Sequence, residues 1–330
     1  MKLNSIKKGV WLLAASMLVM PHLLFAVGGS FQIERMVTFL ALGTGATTGT
    51  YFPLGNAFAN VWTTGAGNIS VMSHSTRGSV DNIQLLRRHE LNLGIAQSDT
   101  VMSALNGTGS FSGDPYKELR VLMALYPEVV QVLVNADSDI NEIGQLRNHR
   151  VIVGAPGSGN SLTSFEILAA CGVAKDEFTP VYISYDEAIQ SMERRDCDAA
   201  IIIAGIPTRA ISELQLRIKT RMLTFPKQEI ERLTAALPYL SPLSIAPGVY
   251  SAQPETVDTI ALTAVLVADA NLPENLAYQL IQGIFDNIGY LQKMHERACD
   301  ISIETFLNGV PETAIHPGAQ RFYSEYRRAE

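Results

Sequence analysis

The sequence predicts an α/β protein of two domains, with two parallel or mixed sheets flanked by helices and joined by a two-strand hinge. Three observations lead there. Short β-branched or apolar runs alternate with helical stretches, the pattern of a parallel sheet covered on both faces. The pattern occurs twice, once before about residue 110 and again from about 150 to 205. Long apolar stretches at 120–135 and 257–268 lie outside both sets and suit strands that cross between them. The length of 330 residues is ample for two domains.

In chain order, Val37 to Leu42 reads as a strand and Pro53 to Trp62 as a helix with its proline in the first turn. Ile69 to Ser73 is the second strand. Ser79 to His89 is a helix whose first serine suits a cap. Leu91 to Ala96 is a third strand and Ser98 to Leu105 a short helix. The second set runs Arg150 to Val153 (strand), Ser161 to Cys171 (helix), Val181 to Ile183 (strand), Asp186 to Arg194 (helix) and Ala199 to Ile203 (strand). Between the sets, Arg120 to Asn135 reads as a strand, a break at Tyr126-Pro127-Glu128 and another strand. Val257 to Ala268 returns the chain to the first domain, and Glu274 to Met294 is helical. The expected division is residues 29–128 with 266–330 as one domain and 129–265 as the other.

The N-terminus follows a different logic. Lys2, Lys7 and Lys8 precede the apolar run Val10 to Met20, continued by Leu23 to Ala26, and small residues follow. This is the layout of a secretory signal peptide over residues 1–28. An uncleaved anchor is the bland alternative, although the run is short for a membrane span. Export to the periplasm is the expectation. The formal net charge of −7 and the lack of a basic stripe argue against nucleic acid as a partner. Cys171, Cys197 and Cys299 are three and widely spaced, which fits buried thiols or one bridge rather than a disulfide framework. The six histidines have no ligand spacing, so no metal or cofactor is expected.

Chemistry concentrates in strand-to-helix loops rich in Gly, Ser and Thr. The first is Gly43-Thr44-Gly45-Ala46-Thr47-Thr48-Gly49-Thr50-Tyr51. Glycines allow close backbone approach, and a helix start offers N–H groups to an anion. A dinucleotide reading fails because the second strand ends in Ser73-His74-Ser75-Thr76, without the acid that would hold a ribose. The second loop, Gly154 to Ser161, approaches a P-loop but carries Asn160 in place of the phosphate-binding lysine. Ser158 has Pro156 two residues before it, so the nucleophile-elbow motif fails as well. What remains is an anion cradle or a tight structural turn. Thr76-Arg77-Gly78-Ser79 and Gln97-Ser98-Asp99 also open helices, with capping the bland reading of each serine. Loops at the carboxyl ends of strands line the ligand crevice of open α/β sheets, so the loops at Thr47, Ser79, Gln97 and Ser158 should face one crevice.

These segments resemble the TAXI receptors, the solute-binding components of TRAP transporters. The resemblance rests on Leu42 to Gly45 with Pro53-Leu54-Gly55, Thr76 to Asn82, Leu93 to Asp99, Leu119-Arg120 and Leu125 to Glu128. It continues through Val153 to Gly159, Cys197 to Pro207 and His316 to Ala319. It implies a type II periplasmic-binding-protein fold and a monomer that captures a small carboxylate (glutamate, glutamine or a 2-oxo acid) for a TRAP membrane permease. Carried over, the ligand residues are Thr44, Gly45, Thr47, Thr48, Tyr51, Thr76, Ser79, Gln97, Ser98, Gly157, Ser158, Gly159 and Asn160, followed by Tyr126, Gly205 and Pro207. Ala46 and Thr48 stand where the family favours glycine, and Asn160 replaces a usual threonine. Arg77 is not assigned as a carboxylate clamp. The alternatives are a periplasmic sensor for a membrane signalling protein and a secreted hydrolase. The hydrolase would need a nucleophile–base pair that the sequence does not display, so the chain reads as a non-enzyme.

Overall fold

The computed structural model describes residues 36–65 and 68–329. The expected signal peptide lies outside the described residues. The first half contains β1 (Thr38–Gly43), α1 (Tyr51–Gly65), β2 (Ile69–His74), α2 (Ser79–Arg87), β3 (Leu93–Gln97) and α3 (Ser98–Asn106). The long strand β4 (Leu119–Asn135) leads to β5 (Arg150–Ile152), α4 (Gly159–Ala170), β6 (Thr179–Val181), α5 (Tyr185–Glu193) and β7 (Ala199–Ala204). Next come α6 (Arg209–Arg217), β8 (Thr220–Met222), α7 (Lys227–Ala236) and β9 (Ser241–Ile245). A second long strand, β10 (Val257–Asp269), precedes α8 (Glu274–Asp286), α9 (Ile288–Met294) and α10 (Pro317–Ala329). Among the described residues no helix is long and apolar enough to cross a membrane.

The α/β class stands, and the two strand sets meet in one ten-stranded mixed sheet of order β2-β1-β3-β10-β4-β7-β5-β6, with β8 paired to β4 and β9 to β10 off this path. The parallel set β2-β1-β3 occupies one end and the parallel set β7-β5-β6 the other. Between them β10 and β4 run antiparallel to each other and to the adjoining strands β3 and β7. Each half has its own apolar packing. Phe58 and Trp62 of α1 pack with Leu280 and Ile284 of α8 in one, and the Trp62 Nε1–H donates to the Leu280 carbonyl at 2.7 Å. Ile167 and Leu168 of α4 pack with Ile201, Ile203 and Leu233 in the other.

Several local expectations change. Arg120 to Asn135 does not break at Pro127. It is one strand, whose register against β10 shifts beside Leu125 and beside Leu122. An extra residue at a bulge bends a strand without ending it, and Pro127, paired opposite Thr263, lies two residues from the bulge at Leu125. The helix expected over Glu274 to Met294 is interrupted at Asn287, whose side-chain amide donates to the Gly283 carbonyl at 2.9 Å. Ser79 does not cap α2. Gly78 does, with no side-chain bond, and the Ser79 Oγ accepts the Gln97 N–H at 3.0 Å. Ser98 likewise follows Gln97, the residue at the cap position of α3.

Two buried asparagines each tie together the ends of two parallel strands. The Asn82 amide nitrogen donates to the carbonyls of Thr44 (2.7 Å), just past β1, and Ile95 (2.8 Å) in β3. The Asn160 amide nitrogen donates to the carbonyls of Val153 (2.7 Å), just past β5, and Ile201 (2.9 Å) in β7. The Asn160 Oδ1 also accepts the Ile203 N–H at 2.6 Å. Both side chains need the space a glycine leaves. A Cβ at Gly43 would stand 2.5 Å from Asn82 Oδ1, and one at Gly154, whose φ is +98°, 2.8 Å from Asn160 Nδ2. Unpaired buried carbonyls cost about 1–3 kcal/mol each. Asn82→Ala should therefore lower unfolding stability by about 2–3 kcal/mol, seen as an earlier urea midpoint with an unchanged slope. A midpoint equal to wild type would show that water replaces the amide without loss.

Candidate functional site

In a doubly wound sheet a crevice opens where successive helices leave to opposite faces, at the carboxyl ends of the strands. This chain has two such points, one at β1 and β3 and one at β5 and β7. They face each other across the shared strands. A cavity of about 200 Å³ lies between them. The loops after β1, β2, β3 and β5 contribute to its wall, together with the start of α5 and the end of β7. Helices α1, α2, α4 and α5 all begin at its lining residues Tyr51, Ser79, Gly159 and Tyr185. The first-turn amides of a helix have no acceptor within it, and the macrodipole makes that end positive.

The structure brings many of the expected residues to this cavity. Gly45, Tyr51, Thr76, Ser79, Gln97, Ser158, Gly159 and Asn160 line it. Several are committed elsewhere. Ser158 caps α4 by accepting the Ser161 N–H at 3.1 Å and donates to the Ala155 carbonyl at 2.7 Å. Asn160 holds strand ends, and its Oδ1 also accepts the Tyr185 hydroxyl at 2.8 Å. Gln97 is different: it is 2% exposed, and both of its amide atoms lack a partner among the described residues. The remaining expected residues stand outside the lining. Thr44 is fully buried and donates to the His74 carbonyl at 2.6 Å. Thr47 sits at the rim, 3.5 Å from the Asp186 carboxylate. Thr48 and Ser98 are buried, each with an unpartnered hydroxyl. Gly157 sits beside Arg77, and its carbonyl accepts the Asp81 N–H at 3.0 Å. Tyr126 and Gly205 pack against each other and Arg297, and Pro207 follows a cis peptide bond.

The wall also holds residues that the sequence did not assign as ligand residues, among them Arg77, Glu128, Tyr185 and Asp186. Arg77 forms an ion pair with Asp81 at 2.7 Å and is well exposed, so its charge is engaged at the mouth. Glu128 is 3% exposed and accepts the Tyr51 hydroxyl at 2.7 Å. Burial pushes its carboxyl up to about 8, against the Tyr51 hydrogen bond and with a further rise from Asp99. Asp99, behind the cavity at the start of α3, accepts the Thr163 hydroxyl of α4, and burial lifts it to about 7. The signal for Glu128 was a lone carboxylate inside the apolar run of β4. That for Tyr185 and Asp186 was their place at the head of a helix after a parallel strand.

The halves approach closely. The Ala210 N–H donates to the Thr48 carbonyl at 3.2 Å, and the Thr50 hydroxyl donates to the Gly205 carbonyl at 3.4 Å. Gly159 sits against the other half so tightly that a Cβ there would overlap Gln97 Oε1 and stand 2.5 Å from Ser79 Oγ.

A family model for the NMT1-like family matches residues 42–326. The chain belongs to the NMT1-like family. Its fold is similar to that of the alkanesulfonate-binding protein SsuA from Xanthomonas axonopodis pv. citri bound to MOPS, at 15% identity, with 88% of this chain and 84% of that chain covered and a TM-score of 0.50. It is also similar to a putative L-cystine ABC transporter from Listeria monocytogenes (13% identity, 81% and 98% covered, TM-score 0.51). A periplasmic transporter matches at 12% identity over 88% and 93%, with a TM-score of 0.55. At such identities the likeness shows the fold. By description the first is a binding protein and the other two are transporters. The TAXI resemblance is overturned by the NMT1-like match and by these neighbours. Its motifs were glycine-rich helix starts, strand ends and tight turns. Parallel strands that feed helices require such features on physical grounds, so they do not by themselves identify a family.

The raised carboxyls carry a stability signature. A folded pKa above the ordinary value of 4.5 means that Glu128 favours folding at low pH and loses that contribution as pH rises through about 8. His295 and His316 are depressed by burial and act in the opposite direction, weakening the fold as pH falls through their range. Comparison with Glu128→Gln cancels the histidines. From pH 5 to 8 the ligand-free variant should gain stability relative to wild type, measured by paired thermal melts. A constant difference would mean that Glu128 stays ionised throughout.

Proposed function

We propose that this is an extracytoplasmic solute-binding protein that captures a small organic acid between residues 29–128 with 266–330 on one side and 129–265 on the other. The observation carrying the reading is the convergence of four helix starts on one small cavity, a ready-made place for an anionic group. The lysine-led apolar N-terminus supports export to the periplasm, and the neighbours that are transporter components support delivery to a membrane permease of the ABC type. Glutamate, glutamine and their 2-oxo acid relatives are the first candidates by size. An alkanesulfonate is the comparison suggested by the Xanthomonas neighbour. β4 and β10 are the strands about which the two parts would close.

A solute bound only to the folded, closed form at a hundredfold excess over Kd adds about 2.7 kcal/mol. With each kcal/mol worth about 2–4 °C at this size, the melting temperature should rise by roughly 5–10 °C. Glutamate, glutamine, 2-oxoglutarate and an alkanesulfonate are the probes, with a sugar and a nucleotide as controls. In Gly159→Ala the added methyl holds the parts apart, and the shift should shrink. Rises with a sugar or nucleotide and none with any acid would reject the reading. A full shift in Gly159→Ala would reject closure across Gly159.

A further inference from the structure

The cavity wall has an unexpected charge balance for a site that holds an acid. Its lining carries one cation, Arg77, already paired with Asp81, and two carboxylates, Glu128 and Asp186. Asp186 lies near the rim, where Thr47 reaches it. Glu128 lies at the floor. It is nearly sealed from solvent, is the one acid of its strand and touches the Tyr51 hydroxyl. Among the described residues no Lys, Arg or His forms an ion pair or hydrogen bond with it. The titratable groups influencing it or influenced by it are Tyr51, Tyr126, Tyr185 and Asp99, none of them a cation at neutral pH. A carboxylate removed from water and left without a cation is costly, and evolution has cheaper ways to fill a strand position. A solute with only negative charge would offer Glu128 no countercharge. Neighbouring Gln97 offers a buried amide oxygen and nitrogen with no protein partner.

We infer that Glu128 reads a protonated amine on the captured solute, which is therefore a zwitterion whose acidic group rests on the helix starts and whose ammonium docks on the Glu128 carboxylate. This rests on the acid-binding reading above and narrows it. In the empty cleft Glu128 is held largely protonated by burial at neutral pH. An arriving ammonium displaces that proton to solvent, and the new charge pair is made inside the closed cavity. The amine is thus the feature that separates an amino acid from its 2-oxo counterpart, which has the same acidic groups and nearly the same size.

The test is calorimetric titration of wild type and Glu128→Gln with an amino acid and its matched 2-oxo acid, glutamate with 2-oxoglutarate. Each titration is run at pH 7 in two buffers of different ionisation heat. Wild type should prefer the amino acid by about 10–100-fold, the scale of one hydrogen-bonded charge contact, and release protons on binding it. Glu128→Gln should lose that preference and the proton release while keeping its affinity for the 2-oxo acid. A melt of the isosteric variant confirms that it is folded. Equal affinity for the two acids, or proton uptake on binding glutamate, would overturn amine recognition while leaving the acid-binding cleft intact. If wild type binds neither acid nor the alkanesulfonate, the acid-binding reading itself fails and takes this inference with it.

Discussion

Asn82 and Asn160 each tie together the ends of two parallel strands, and the cleft depends on them. Parallel strands splay where their helices depart to opposite faces, and the last carbonyls lose their ladder partners there. An amide reaching across the gap satisfies both carbonyls and fixes the splay. Each asparagine sits in the first turn of a helix that opens on the cleft, α2 for Asn82 and α4 for Asn160, so the same bond sets where that helix begins. The starts of α2 and α4 then converge on one cavity as a consequence. Gly43 and Gly154 belong to this device as much as the amides do, because any side chain at either would occupy the amide's place.

The two halves share a sheet, which constrains how they can move. β4 and β10 run through both, so motion between the halves must be absorbed along these two strands. The shifts of register at Leu125 and Leu122 are where the pairing is already irregular. Contact across the cleft includes backbone groups of the helix-start loops, such as Asp81 with Gly157 and Ala210 with Thr48. Such contacts demand close approach and small residues, which explains a glycine at position 159 on the second helix start.

Charge in the cleft follows from the same geometry. Helix ends bring positive potential to the cavity from several directions. Glu128 and Asp99 add buried carboxyls that burial raises to about 8 and about 7. This balance supports the proposed zwitterionic solute, held without an arginine clamp. Arg77, the cation of the lining, is held by Asp81 at the mouth.

Much of the architecture was legible in the sequence because local patterns and tertiary structure agree there. The alternation of strands and helices placed β1 to β3 and β5 to β7 within a few residues, and the glycine-rich loops pointed to the cleft wall. The segment from α6 to β9 was not read, because its short elements carry no clear period and are defined by packing on β4 and β10. Ser79, Ser158 and Asn160 were found as wall residues, but their hydrogen-bond partners lie as much as 43 positions away in the chain. Spacing cannot tell a hydroxyl or amide turned toward a solute from one holding a strand end. Glu128 shows the limit most clearly. One carboxylate in an apolar run reads as a surface position or a break, and only the fold seals it from water and places it against Tyr51. The sequence by itself pointed to the loops after β1, β2 and β5 and to the end of β3, since strand ends and helix starts are local, but not to the start of α5. The tertiary structure decided which side chains there are free to act, because burial and hydrogen-bond satisfaction are properties of contacts between distant parts of the chain.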